Sequence, residues 1–395
     1  MKLENVAVLG VGQVRFGVHK TKTGIELARD AGLLALADAG TDLRSVNEAF
    51  VGYIEPAAML AVKAMKELGL TGLPVTHVEN ASATGLVAFR EAAHAVASGR
   101  AQVALALGFD KMSEMVRGAQ GGHGPGGHGP GGRGPGRDSI DSVILPAAYF
   151  ALWAMRRMHE RGTKPEHFAK IAAKNWNHGA LCPVADRQAD HRVTPEEVLA
   201  SRKIAEPLTA MMACPPDDGA ACVILAPPEL VQKLWPGRPL VRVLSSALQS
   251  ETYTPGHTFV GAVVGPATMS RDTANEAYRD AGLGPEDVDL ALCHDAFANE
   301  ELEYYELLGF CKEGEAEKLV EEEQTSLGGR IPFNTDGGLI ARGHPGGPTG
   351  LAQIHEIVVQ LRGAAGRRQV ENARVGLAHL VGGGSVCTVS LLARD

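Results

Sequence analysis

Aromatic residues make up only 5% of this 395-residue chain, so its interior must be filled by small aliphatic side chains rather than by large rings. No apolar run reaches the roughly 18 residues that a membrane helix needs, and a soluble chain with no membrane partner is expected. The six cysteines, Cys182, Cys214, Cys222, Cys293, Cys311 and Cys387, show no CxxC spacing, and no signal-peptide pattern opens the sequence. Reduced thiols in a cytoplasmic protein are the expectation. A clustered positive face is also lacking: the net charge is −8 and the basic residues are scattered, which argues against nucleic acid as a partner. What is abundant is small and flexible, with 48 glycines in a chain that is 45% hydrophobic and 21% charged. That composition suits an α/β protein with many tight turns, long enough for two lobes that each bury a core.

The run Asn5 to Gly10 reads as a strand, and Gly10 and Gly12 invite comparison with a dinucleotide fingerprint. Arg15 stands where GxGxxG needs its third glycine, so a strand end and turn is the better reading. Residues 25–39 carry apolar side chains at helical spacing and stop at Gly40, and Val46 to Ile54 reads as a strand. The pattern returns in the second half, where Ser270 to Ala281 is helical, Gly282 stops it, and Val288 to Cys293 is a strand. Likewise Thr84-Gly85-Leu86 opens a helix that ends before Gly99-Arg100, and Thr349-Gly350-Leu351 opens one that ends before Gly366-Arg367. An internal duplication of a βαβ-type unit follows, giving two lobes about a pseudo-twofold axis with sites where they meet. The division is expected at residues 1–230 and 231–395. The first half carries an insertion of about 111–211, which begins with a Gly/Pro-rich loop at 118–137 and continues as a mostly helical cap. His123 and His128 in that loop lack an acidic or cysteine companion, so no metal is expected there.

Four stretches place reactive groups beside glycines at strand ends. Ser82 lies at the sharp turn into the helix that starts at Thr84, where a nucleophile gains from the helix dipole, although a serine before a helix is more commonly its N-cap. His294 and Asp295 follow a strand and point to opposite sides of it, so that one of them can face a site. His344 stands before the second-copy helix, at the place Ser82 holds before the first, and a twofold axis brings the two together as nucleophile and base. The strand that begins at Gly376 runs into Gly382-Gly383-Gly384, whose backbone NH groups suit an oxyanion hole. A phosphate loop would want a lysine after the glycines, where Ser385 stands.

Taken together, HDAFANEELEYYELLGFCKEGEA from His294, NTDGGLIARGHPGGPTG from Asn334 and the run Asp217-Asp218-Gly219-Ala220-Ala221 resemble the thiolase superfamily, in its sterol-carrier-protein and lipid-transfer-protein branch, over nearly the whole chain. The resemblance implies a five-layered α-β-α-β-α thiolase fold of two βαβαβαββ halves, a homodimer core, and CoA thioesters as substrates with no bound cofactor. It implies roles as well: position 82 as acyl acceptor, His344 as the activating base that also helps to hold the thioester oxygen, His294 as a water-holding or proton-handling group, and the NH groups of Ser82 and Gly383 as oxyanion hole. It also implies a possible small OB-fold, zinc-ribbon partner protein. The chain departs from the family at all three cysteine positions, with Ser82 as either a natural or an engineered replacement, and with Ala296 and Val381 at the other two. An acyltransferase on 3-oxoacyl-CoA, working by thiolytic cleavage or Claisen condensation, is the expected function. A retro-aldolase on a 3-hydroxyacyl-CoA, with Tyr253, His257 or His294 as base, and a non-catalytic acyl-CoA-binding subunit are the alternatives. The stretch 251–257 and the cap are expected to shape the acyl pocket.

Overall fold

A computed structural model of the chain describes residues 3, 5–115, 146–252 and 267–395. The loop at 118–137 with His123 and His128, and the candidate bases Tyr253 and His257, lie outside the described residues. The first half runs β1 (Ala7–Gln13), α1 (Gly24–Ala39), β2 (Glu48–Gly52), α2 (Leu60–Leu68), β3 (Val75–Val78), α3 (Thr84–Ala97) and β4 (Ala104–Lys111). The insertion follows with α4 (Pro146–Arg161), α5 (Pro165–Gly179), α6 (Pro195–Ala200), β5 (Lys203–Ala205) and β6 (Leu208–Thr209), before β7 (Asp218–Ala226) closes the half. Then come α7 (Pro228–Leu234), β8 (Val241–Ser250), α8 (Ala267–Ala281), β9 (Leu290–Leu292), α9 (Ala298–Leu307), α10 (Ala316–Glu321), α11 (Gly338–Ala341), α12 (Thr349–Leu361), β10 (Val375–Gly382) and β11 (Val386–Arg394).

Local chemistry sets the helix ends. Thr23 and Glu26 form a reciprocal capping box at the start of α1, and Gly40 closes that helix in the left-handed conformation at φ 64°. The strands order as β3-β2-β4-β7-β1-β8-β11-β10-β9. Parallel β3-β2-β4 followed by antiparallel β7 and β1 is answered, in mirror order, by antiparallel β8 and β11 followed by parallel β10 and β9. A lone parallel bridge from Phe333 to Ala291 of β9 stands where β3 stands beside β2. The two half-sheets join through β1 and β8 at Ala7 and Arg242.

Helix α1 covers the outer face of the first half-sheet and α8 that of the second, while α3 and α12 each touch strands of both and touch each other. The order is therefore α-β-α-β-α, with α3 and α12 as the middle layer. Their inward faces are almost wholly aliphatic: Leu86, Ala88, Phe89, Ala92, Leu351, Ile354, Ile357 and Leu361 are all buried. The cap is tied down by charge as well as by packing. Arg157 of α4 is only 4% exposed and meets Glu303, Glu306 and Glu317 at 2.8, 2.6 and 2.9 Å. A buried guanidinium with this many carboxylate partners is costly to strip of any one of them.

The closest approach in the middle layer is backbone to backbone. A Cβ added at Gly350 would lie 2.5 Å from Leu86 N, and one at Gly85 would lie 2.6 Å from Gly347 O. Removing a glycine from an open helix gains roughly 0.5–1 kcal/mol. Here the clash has the opposite sign and wins, so Gly350→Ala is expected to destabilise by about 1–3 kcal/mol, read as a lower urea midpoint. An unchanged or higher midpoint would show that the two helix ends do not meet as described.

Candidate active site

Ser82 sits on a strained turn between β3 and α3. Ala81 takes φ 48°, a left-handed conformation that costs about 1–2 kcal/mol in a residue other than glycine. Local bonds hold it there: Asn80 N donates to Thr84 Oγ1 at 2.8 Å, Ala81 N to Glu79 Oε1 at 2.7 Å, and Thr84 N to Ala81 O at 3.1 Å. The N-cap of α3 is Ala83, without a side-chain cap, so the ordinary reading of Ser82 as a capping serine does not hold. Its Oγ instead faces His344 Nε2 at 3.0 Å.

The histidine is oriented from behind. Thr349 Oγ1 donates its single proton to Pro345 O at 2.6 Å, so it can only accept from His344 Nδ1, 2.9 Å away. That places the ring proton on Nδ1 and leaves the Nε2 lone pair toward the serine hydroxyl. Burial holds the His344 pKa well below the usual imidazole value, with neighbouring His294 and Arg342 adding to the effect, so the ring is a neutral base at pH 7. The loop that carries it is fastened to the first half by Asp110, which accepts from Gly347 N at 2.5 Å, Ile54 N at 3.0 Å and Glu55 N at 3.2 Å. Ser82 and His344 therefore converge, but not as equivalent residues. In the register set by Thr84 and Thr349, the residue two before the second helix is Gly347, and His344 lies three residues further back.

His294 lies beside this pair, with its ring edge-on to His344 at 5.6 Å and 88°. Its Nδ1 is 2.7 Å from Glu300 Oε2. Asp295 turns the other way, accepting from Asn175 Nδ2 at 2.8 Å and from Leu339 N at 2.7 Å, where it caps α11 ahead of the His344 loop. Glu300 was not legible as a site residue. The only signal was a glutamate in the first turn of a helix following a strand-end histidine, and its other oxygen does serve that helix, accepting from Phe297 N at 3.2 Å.

Gly383 lies in the hairpin between β10 and β11. The turn closes through Ser385 N to Gly382 O at 3.1 Å, with Gly383 and Gly384 at φ 54° and 77°, so neither central NH is used by the turn. A Cβ at Gly382 would fall 2.0 Å from Asn80 O, which sets this hairpin against the Ser82 turn. Ala296 and Val381 supply only apolar side chains. No cysteine compensates: burial pushes the thiols of Cys182, Cys311 and Cys387 up to about 12, and those of Cys214, Cys222 and Cys293 up as well. Behind the site, His178 of α5 donates from Nδ1 to Asn334 O at 3.1 Å and accepts from Leu327 N at 3.2 Å, and burial holds its pKa down at about 4.

Comparison with known proteins agrees with this architecture. The thiolase N-terminal domain family matches residues 7–127, and the thiolase C-terminal domain-like family matches residues 263–394. Human sterol carrier protein 2 is 36% identical, over 98% of this chain and 72% of its own length. The acetyl-CoA acetyltransferase of Methanothermobacter thermautotrophicus is 35% identical, over 99% of this chain and all of its own length. Among solved structures, the Ltp2-ChsH2(DUF35) aldolase superposes with a TM-score of 0.83 at 25% identity, covering 99% of this chain and 98% of that one.

Two outcomes follow from the geometry alone. Thr349→Val removes the acceptor that fixes the His344 tautomer, so labelling of Ser82 by a serine-directed fluorophosphonate should slow by about 10-fold or more. Equal labelling rates would mean that Thr349 does not orient the ring. For His178, the folded pKa lies below the unfolded one, so its contribution to stability is complete above about pH 6.5 and is lost as pH falls toward about 4. Between those limits the stability advantage of the wild type over His178→Gln should shrink by about 1.4 kcal/mol per pH unit in urea titrations. A constant difference would contradict the neutral, doubly bonded ring.

Proposed function

The chain belongs to the thiolase superfamily, in its sterol-carrier-protein-type branch, and on that premise we propose that it transfers acyl groups from 3-oxoacyl-CoA through an ester on Ser82. The observation that carries this reading is the 3.0 Å contact between Ser82 Oγ and a His344 Nε2 whose lone pair is aimed by Thr349. His344 takes the hydroxyl proton as Oγ attacks the 3-oxo carbonyl. The developing oxyanion is held by backbone NH groups, with Ser82 N and Gly383 N as the proposed donors. Collapse breaks the bond between C2 and C3 and releases acetyl-CoA as its enolate, which needs a proton. CoA thiol then attacks the Ser82 ester, and His344 returns its proton to Oγ. The same steps run backward are a Claisen condensation.

A hydroxyl is a poor nucleophile near neutral pH unless a base removes its proton during attack, which makes acylation the slow step for serine. A homodimer and a small OB-fold, zinc-ribbon partner belong to the same proposal. The latter is supported by the likeness to the Ltp2-ChsH2(DUF35) aldolase, which names two components. A cytoplasmic setting with reduced thiols completes it. A second reading, retro-aldol cleavage of a 3-hydroxyacyl-CoA, is favoured by that same likeness and by a site with no cysteine at positions 82, 296 and 381.

Intact-protein mass spectrometry after incubation with a 3-oxoacyl-CoA should show an acyl adduct on Ser82. Ser82→Cys should raise CoA-dependent cleavage by about 10-fold or more, and His344→Ala should abolish it. Ketone or aldehyde release from a 3-hydroxyacyl-CoA without added CoA, with no adduct, would replace the acyltransferase reading by the aldolase one.

A further inference from the structure

Resting on that reading of the site, we infer that His294 is the acid/base that serves the substrate's α-carbon, with Glu300 as its positioning residue, in the role for which this chain has no cysteine. The reaction needs two proton carriers. His344 is committed to the serine hydroxyl, since its Nδ1 is bonded to Thr349 and its Nε2 to Ser82. The enolate released from C2 needs a separate donor, and the cysteine positions hold Ala296 and Val381, which carry no exchangeable side-chain proton.

His294 is placed for that work. Its ring lies 5.6 Å from that of His344, and Glu300 engages only its Nδ1, leaving Nε2 for substrate. Glu300 is itself 1% exposed and held at three points: His294 Nδ1 at 2.7 Å, Phe297 N at 3.2 Å and Tyr304 OH at 3.4 Å. A carboxylate fixed on one imidazole nitrogen stabilises the imidazolium that forms when the other nitrogen takes a proton. The groups that face His294 are Glu300 and Tyr304 from α9, His344 from the loop before α12, and His379 from β10, against whose ring Tyr304 packs at 4.3 Å. Burial holds His344 neutral and lowers His379 to about 3, so neither offers a competing positive charge near neutral pH. Among the described residues, His294 is the one imidazole of these three with a carboxylate on it.

The proton balance closes without an added reagent. Protonated His294 gives its Nε2 proton to C2 as the bond between C2 and C3 breaks, forming acetyl-CoA. Neutral His294 then takes the proton of the incoming CoA thiol as the sulfur attacks the Ser82 ester. In the condensing direction neutral His294 removes a proton from C2 of acetyl-CoA, which is a half-reaction that can be observed by itself.

The test is loss of deuterium from methyl-deuterated acetyl-CoA into water, followed by mass spectrometry in parallel with the Ser82 adduct assay. Wild type should exchange. Glu300→Gln should slow exchange by about 10- to 100-fold with a KM within about 3-fold, because the carboxylate that holds His294 Nδ1 is gone. Glu300→Asp should restore most of the rate, and both variants are checked for a wild-type melting curve. No exchange by wild type, or Glu300→Gln exchanging at the wild-type rate, would overturn the assignment. Exchange that depends on Glu300 without a Ser82 adduct would leave the assignment standing and remove the acyl-serine reading. An adduct with exchange indifferent to Glu300 would do the reverse.

Discussion

Everything at the centre of this molecule depends on two helix N-termini packed against each other with no side chains between them. Helices α3 and α12 meet through Gly85, Gly347 and Gly350, at separations that leave no room for a methyl group. Each helix end carries unsatisfied NH groups and the positive end of a dipole, so bringing two together concentrates a field that favours developing negative charge. The arrangement also sets the lengths of the preceding turns, which is why Ser82 and His344 come within hydrogen-bond reach although 262 residues separate them. Two half-sheets of like topology, joined at β1 and β8, hold the helices in place.

Around that junction the surroundings are arranged to keep His344 neutral and the reacting groups in place. His344 is desolvated and aimed by Thr349, and Asp110 pins its loop through three backbone NH groups. Asp295 and Glu301 form a buried layer behind the histidines: Asp295 caps α11, and Glu301 gathers Lys174, Asn175, Asn334 and Tyr305. Burying such carboxylates is costly unless every lone pair is used. Here they set the position of the backbone on which His294 and His344 stand. The cysteines are buried or partly buried thiols with raised pKa values, so the polar chemistry falls to hydroxyl, imidazole and carboxylate groups.

How far the sequence could be read differs between the fold and the site. Helix α1 was legible from the apolar spacing of residues 25–39 and from Gly40, a local stop signal whose effect is confined to one turn, whereas the Thr23–Glu26 capping box at its start came only from the structure. The duplicated helix starts at Thr84 and Thr349 were equally plain. Ser82 was ambiguous, since a serine before a helix has the same local signature whether it caps the helix or faces away from it. The repeat brought His344 to the right neighbourhood for an incomplete reason: Gly347 holds the equivalent position, and the histidine reaches the serine from three residues earlier. Glu300 escaped notice because its partner is six residues away across a strand-to-helix turn, where sequence spacing does not specify direction.

The sequence by itself determined the α/β class, the doubling of the chain and the family, because these follow from periodicity, glycine placement and motifs that act over a few residues. Only the tertiary structure decided that Ser82 faces a histidine rather than its own helix, that His344 carries its proton on Nδ1, and that Glu300 is tied to His294. Each of these depends on the direction of a side chain and on what has been excluded from around it. Those are properties of packing between segments that lie far apart in the chain.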